Sequence, residues 1–223
     1  MYRQLIIKEL REIWWMGLVA FAFLMIALWD AIGLNLNFES FTLVWFARDR
    51  VPFLDTDFVI QIVALTGYCL AGAIALWQTM GESFRGTWVF LLHRPIPRRD
   101  IFLVKIAVGL SVTLVSTLVP ILLYLWWAVT PGMHASPFEL WMTRESVLVW
   151  LGFFPIYFAA FLCGIREARW YVSRFFPIVP VLFLPVILME LVRGTVPALS
   201  LIAASIAVLI PPIFDSLARR DYA

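Results

Sequence analysis

The sequence has little charge and few of the side chains that bind metals or form cross-links. Charged residues make up 14% of the 223 positions, and there are two histidines and two cysteines. His93 and His134 lie in different loops between apolar runs, whereas Cys69 and Cys163 each fall inside an apolar run. We therefore expect no disulfide framework, no thiolate metal site and no site in which the two histidines share a metal.

Motifs of common catalytic sites are missing from the sequence as well. No glycine-rich loop ends in Gly-Lys-Ser/Thr, no His-Glu-x-x-His occurs, and no serine lies in a Gly-x-Ser-x-Gly turn. Asp55 and Asp57 form an acidic pair that a solvated loop explains better than a metal site does. We therefore expect this chain not to be an enzyme and to bind neither a metal nor a cofactor itself.

Apolar side chains are abundant instead, at 63% of the residues, compared with roughly 45–50% in soluble globular proteins. A chain of this length has too little interior to bury so many of them. Lipid must therefore solvate much of the surface. Helices are predicted because nothing alternates over ten-residue units, as barrel strands do. The predicted fold class is an all-α polytopic membrane protein with one transmembrane domain, residues 1–223.

Six segments are predicted to span the membrane, on the basis that a crossing needs about 20 mainly apolar residues. They are residues 13–34, 58–80, 101–128, 147–165, 175–192 and 196–214. The fifth segment contains Pro177, Pro180 and Pro185, which remove backbone donors and kink a helix. It is retained because neighbouring helices in a membrane can satisfy the freed carbonyl groups.

The distribution of basic residues predicts the orientation of these spans. Thirteen of the 17 Lys and Arg residues lie on the side of the predicted N-terminus, leaving Arg48, Arg50, Arg144 and Arg193 on the other. Such an excess marks the cytoplasmic side. We therefore predict a multi-pass protein of the cell (inner) membrane with both termini in the cytoplasm, surrounded by membrane lipids and without a nucleic-acid partner.

Residues 2–14 are predicted to form an amphipathic helix on the inner membrane surface, before the first span. Apolar residues recur there at helical spacing, with Arg3, Lys8 and Arg11 between them. The apolar positions are Tyr2, Ile6, Leu10, Ile13 and Trp14. The alternative is that these residues are the cytoplasmic start of the first span.

Two further patterns concern the interior of the predicted bundle. Gly67, Ala71 and Ala75 recur every four residues, which predicts that this face of the second span packs on another helix. Asp30 and Glu190 are the nearest candidates for intramembrane charges. Both lie at outer ends of spans, where anchoring at the interface explains them better than an ion path does.

The predicted inner loop, residues 81–100, carries the most specific pattern in the chain. It contains, with the residues that follow it, Glu82, Arg85-Gly86-Thr87, Leu91-Leu92, Pro95, Arg98-Arg99, Ile101 and Lys105. Thr87 can cap a short helix, and Pro95 and Pro97 end that helix before the next span. The residues alone leave two interpretations open: a loop anchored to the interface, or a rigid helix presented to a soluble partner.

This run resembles the cytoplasmic coupling loop of ABC type-2 permeases, the transmembrane subunits of ATP-driven exporters. In that family a Glu precedes Arg-Gly-Thr, then Leu-Leu, a Pro-x-x-Arg-Arg-x-Ile stretch and a downstream Lys. The resemblance is close over residues 82–105 and loose over the rest of the chain. It implies an exporter with a coupling helix after the second span, a separate ATP-binding cassette subunit that binds ATP and Mg²⁺, and a second permease copy in a homodimer or heterodimer.

The resemblance also implies roles for particular residues. The partner-docking residues would be Glu82, Arg85, Gly86, Thr87, Leu91, Leu92, Arg94, Arg98 and Arg99. A translocation path at the dimer axis would involve spans two and five, and we assign to it Gln61, Gly67, Pro180 and Pro185. The alternative is a non-transporting membrane anchor or assembly factor that recruits a cytoplasmic partner through residues 82–99. A secondary transporter would need an inverted repeat and intramembrane ions, and we find neither.

Overall fold

The structure is a computed structural model that describes residues 2–32, 53, 61–86, 97–130, 138–166, 171–188 and 194–219. In these residues the chain forms helices and no β-strand. The helices are α1 (Tyr2–Ala31), α2 (Ala64–Arg85), α3 (Arg98–Val129), α4 (Arg144–Leu151), α5 (Phe153–Ile165), α6 (Tyr171–Phe175), α7 (Ile178–Leu182), α8 (Leu184–Val186) and α9 (Thr195–Arg219). The all-helical prediction is therefore confirmed for this part of the chain.

Five segments of the described chain are long and apolar enough to cross a membrane. They are Tyr2–Trp29, Gln61–Arg85, Arg98–Val129, Leu140–Ile165 and Thr195–Ser216. The fourth combines a 3₁₀ turn with α4 and α5, which join at Gly152. These segments make the chain a helical membrane protein.

The predicted fifth span, residues 175–192, is not a continuous helix in its described part. Residues 171–188 instead form the three short helices α6, α7 and α8. Pro177, Pro180 and Pro185 explain the breaks, because proline removes a backbone donor and its ring clashes with the preceding turn. Among the described residues, five segments are therefore long and apolar enough to span the membrane, and a sixth span is not confirmed.

The first helix also differs from its prediction. Residues 2–14 and the first apolar segment form one helix, α1, without a break between them. Leu5, Glu9, Ile13, Leu24 and Leu28 are all buried along one face of it. At 1.5 Å per residue, its 30 residues span about 45 Å, more than the hydrocarbon layer needs. Residues 2–14 therefore belong to the same helix as the first apolar segment and do not form a separate helix.

The centre of the bundle is α5, whose residues are nearly all buried. Helix α2 packs along α5, α1 packs along α3, and α9 covers another side of α5. Ala71 and Ala75 of α2 are fully buried, and a methyl group on Gly67 would lie 2.6 Å from Cε2 of Phe153. The predicted packing face of the second span is confirmed, and its neighbour is α5.

Side-chain contacts bring one end of each of α1, α3 and α9 together at the same end of the bundle. The Tyr2 hydroxyl donates a hydrogen bond of 2.6 Å to Oδ2 of Asp100, so α1 and α3 begin side by side. The Arg99 guanidinium lies 5.7 Å from the centre of the Phe214 ring, near the end of α9. Asp100 lies in the first turn of α3, which begins after Pro97.

Candidate functional site

Three ionisable side chains from different helices are buried together at this end of the bundle. Glu9 of α1 and Lys105 of α3 have no exposed surface, and Glu82 of α2 is 3% exposed. Nζ of Lys105 lies 2.7 Å from Oε1 of Glu9 and 3.1 Å from Oε1 of Glu82. Both carboxylates therefore share one buried ammonium group, and the three helices are joined by charge.

Partly exposed charges extend this arrangement toward the surface. Nζ of Lys8 contacts Glu82 closely, and it lies 3.4 Å from Oε1 of Glu9 and 3.6 Å from Oε1 of Glu12. Nη1 of Arg85 lies 3.7 Å from the same Glu12 oxygen. We call the six residues the charge cluster: Lys8, Glu9, Glu12, Glu82, Arg85 and Lys105. Its three formal positive charges balance its three formal negative charges.

A polar connection runs from the charge cluster to the central helix. The Gln78 amide donates to Oε2 of Glu9 (3.4 Å) and to the Lys105 carbonyl (3.0 Å). The Tyr157 hydroxyl of α5 donates to Oε1 of Gln78 at 2.7 Å. Gly109 leaves room for this contact, because a methyl group there would lie 2.8 Å from Cε2 of Tyr157. Side chains of four helices are therefore linked by hydrogen bonds and ion pairs.

Helical periodicity places these polar groups in the interior. Glu9 lies four residues after Leu5 and four before Ile13, both of which are fully buried. Lys105 follows buried Ile101 at the same spacing. A charge on such a stripe is costly to bury unless it is paired. Glu9 and Lys105 pair with each other across α1 and α3, and Lys105 also pairs with Glu82 of α2.

Two ammonium groups lie among the three carboxylates of the charge cluster. Carboxylate oxygens of Glu9, Glu12 and Glu82 lie within 4.8 Å of one another, which is close enough for three ligands of one cation. The ammonium groups of Lys8 and Lys105 lie among the same oxygens. The chain thus supplies the positive charge that balances the three carboxylates.

The predicted docking residues fall into different environments. Glu82 and Arg85 belong to α2, which continues to Arg85 and ends where Gly86 adopts φ 65°. Glu82 faces inward, and its carboxylate pairs with Lys8 and Lys105. Arg98 and Arg99, at the start of α3, are exposed. Thr87, Leu91, Leu92 and Arg94 lie outside the described residues.

The four residues assigned to a translocation path differ in their exposure. Gln61 is exposed at the beginning of the second span, whereas Gly67 is buried against Phe153. Pro180 is exposed and Pro185 half-buried, both among the short helices. Gly67 therefore serves the packing of α2 on α5. The side chains of Asp30 and Glu190 lie outside the described part of the structure, as do His93, His134, Asp55 and Asp57.

Several members of this site were missed by the sequence analysis. Lys8 was assigned to a polar surface, Glu9 and Tyr157 were given no role, and Gln78 was not recognised as a connection between helices. One signal was present for Glu9, which lies on the same helical stripe as Leu5 and Ile13. The predicted apolar face shares Ile13 with that stripe, but its Ile6 and Leu10 are exposed at 42% and 44%.

The fold and this site define a class: a helical membrane protein with a buried, charge-balanced cluster at one end of its bundle. Comparison of the chain with protein-family models, curated proteins and solved structures finds no match.

Proposed function

We propose that this chain is the transmembrane subunit of an ATP-driven exporter and receives movement from a separate nucleotide-binding subunit through the connection between α2 and α3. The observation that supports the proposal most is the pairing of Glu82 with Lys105. Glu82 precedes this connection and Lys105 follows it. The pair therefore joins the two helices to which a bound partner would transmit force.

Burial strengthens the ion-pair link between α2 and α3. The Glu82–Lys105 and Glu9–Lys105 pairs are shielded from water, so separating either one would leave buried charges less fully compensated. Gln78 and Tyr157 extend the connection to α5. Force applied by a partner to residues 87–96 would thus displace the ends of α1, α2 and α3 together, and α5 with them.

The exposed basic residues supply the proposed docking surface. Arg98 and Arg99 would meet the nucleotide-binding subunit together with Thr87, Leu91, Leu92 and Arg94. Glu82 and Arg85 would instead hold the end of α2 in place. ATP and Mg²⁺ would be bound by the partner subunit, and a second copy of a permease chain would complete the translocation path.

Purification with native partners tests the proposal directly. The full-length protein, isolated in mild detergent from its own host, is expected to bring a nucleotide-binding subunit with it at near-stoichiometric amounts, identified by mass spectrometry. The double variant Arg98→Glu/Arg99→Glu should lose this subunit because both docking charges are reversed. Arg98→Lys/Arg99→Lys is the matched control, since it changes the same two exposed side chains but keeps both positive charges. Absence of a nucleotide-binding subunit from the wild-type preparation would refute the proposal.

A non-transporting anchor is the second candidate, because the exposed Arg98 and Arg99 could recruit a partner without transport. Substrate-stimulated ATPase activity of the purified complex separates the two functions. An exporter couples substrate to hydrolysis, whereas an anchor leaves the ATPase rate of its partner unchanged when candidate substrates are added.

A further inference from the structure

A second surface lies on the outside of the same end of the bundle, between α1 and α2. Trp15 of α1 and Trp77 of α2 meet edge to face, with ring centres 6.2 Å apart and planes at 85°. They are 44% and 40% exposed. Tryptophan is enriched where lipid headgroups meet hydrocarbon. The pair therefore marks the depth at which this surface meets the membrane interface.

A guanidinium group is held beside the two rings. The Arg85 side chain reaches back along α2, and its Cζ lies 5.7 Å from the centre of the Trp77 ring. Its single ion pair among the described residues is the 3.7 Å approach to Glu12, and half of its side chain is exposed. Five N–H donors are available to a guanidinium group. Arg85 is thus fixed in position, with donors left for an oxygen-rich ligand.

Space for such a ligand lies between Trp77 and Arg85. Gly81 is four residues from each, on the same face of α2, and a Cβ atom at Gly81 would meet no other atom within 4 Å. On α1, exposed Arg11 precedes Trp15 by one turn and adds a second positive charge. The surface therefore combines a fixed guanidinium, a nearby basic residue, two interfacial rings and open space.

We propose that this surface, formed by Arg11, Trp15, Trp77, Gly81 and Arg85, binds the headgroup of an anionic phospholipid. Guanidinium groups bind phosphate oxygens in bidentate geometry. The tryptophan rings place that phosphate at headgroup depth, and the acyl chains can follow the exposed apolar flank of α1, where Leu18 is 54% exposed. The proposal concerns lipid alone and stands whether or not the chain is an exporter subunit.

Lipid titration of the purified full-length protein, followed by native mass spectrometry, tests the proposal. Phosphatidylglycerol is expected to bind more tightly than phosphatidylcholine. Arg85→Gln should weaken phosphatidylglycerol binding about five-fold, the typical effect of one basic residue on association with an anionic surface. Arg3→Gln removes an equal charge from the exposed start of α1 and should leave the binding within about two-fold, since screening confines the effect of a distant charge.

A steric variant makes the test independent of charge. Gly81→Leu fills the open space, keeps every charge and places a helix-favouring residue in α2, so it should fold and lose binding to a similar degree. If Arg85→Gln does not fold, Gly81→Leu alone decides. Equal binding of the two lipids, equal losses in Arg3→Gln and Arg85→Gln, or unchanged binding in Gly81→Leu would overturn the proposal. Displacement of the lipid by inorganic phosphate would also overturn it, because the ligand would then be a free anion.

Discussion

At the residue scale, Lys105 is the side chain on which the charge cluster depends most. It is fully buried and is the common partner of Glu9 and Glu82. Lys8 approaches the same two carboxylates, but 31% of its side chain is exposed. Water can therefore compensate for part of the loss of Lys8, whereas it cannot reach the position of Lys105.

This difference predicts unequal effects of the two lysines on stability. Lys105→Met should lower the free energy of unfolding by roughly 3–5 kcal/mol, because it leaves two buried carboxylates short of a counter-charge. Lys8→Met should cost about 1 kcal/mol or less, as exposed pairs do. Thermal unfolding in detergent measures both effects. Adding Glu9→Gln should recover part of the loss in Lys105→Met, and equal effects of the two lysine variants would contradict the assignment.

At the element scale, α5 depends on an arginine that lies beyond its end. Nε of Arg174 donates to the Cys163 carbonyl at 2.9 Å, and Nη2 donates to the Gly164 carbonyl at 2.7 Å. The last carbonyl groups of a helix have no partner within it, so these two bonds satisfy groups that burial would otherwise leave unpaired. The same contacts attach α6 to the end of α5.

Loss of this cap should loosen the end of α5. In Arg174→Met, amide hydrogens of the last turn of α5 are expected to exchange roughly ten-fold faster or more, since hydrogen bonds to charged groups contribute about 1.5–3 kcal/mol. Hydrogen–deuterium exchange with peptide-level mass spectrometry measures this rate. Arg166→Gln is the matched control, because exposed Arg166 follows α5 directly and bonds to it through its backbone N–H, which the substitution keeps. Similar exchange in the two variants would show that Arg174 does not cap the helix.

At the scale of the whole molecule, the charge cluster marks one end of the bundle. The Tyr2–Asp100 hydrogen bond places the N-terminus beside the start of α3. Phe138 packs with Phe53, which contacts Tyr124 near the other end of α3. The exposed residues Arg98 and Glu139 therefore lie at opposite ends of the molecule.

The excess of basic residues predicts that the charge-cluster end faces the cytoplasm. Single cysteines at Arg3, Arg98 and Glu139, in a background with Cys69 and Cys163 replaced by alanine, test this orientation. A membrane-impermeant maleimide added to intact cells should label only Glu139→Cys, whereas Arg3→Cys and Arg98→Cys should need permeabilised membranes. Labelling of Arg98→Cys from outside the cell would reverse the topology and remove the proposed docking surface from the reach of an ATPase.

The two departures from the predicted spans have different origins. The breaks in the described part of residues 175–192 follow from three prolines. Their effect on a helix is local and can be predicted from the sequence. The continuity of α1 was harder to predict, because residues 2–14 carry two apolar stripes. Packing against α3 and α2 selects the stripe that contains Leu5 and Glu9 over the stripe that contains Ile6 and Leu10.

The sequence by itself determined that the chain is helical and membrane-embedded, because long apolar runs in lipid must satisfy their own backbone hydrogen bonds. It also determined the packing face of α2, where small residues recur every four positions. Only the tertiary structure decided which charges are buried. Glu9 and Lys105 are 96 residues apart in the chain. The sequence around each one does not distinguish it from other charged residues near the end of a span. Their burial depends on the approach of α1, α2 and α3, because a buried charge is tolerated only where another helix brings its partner.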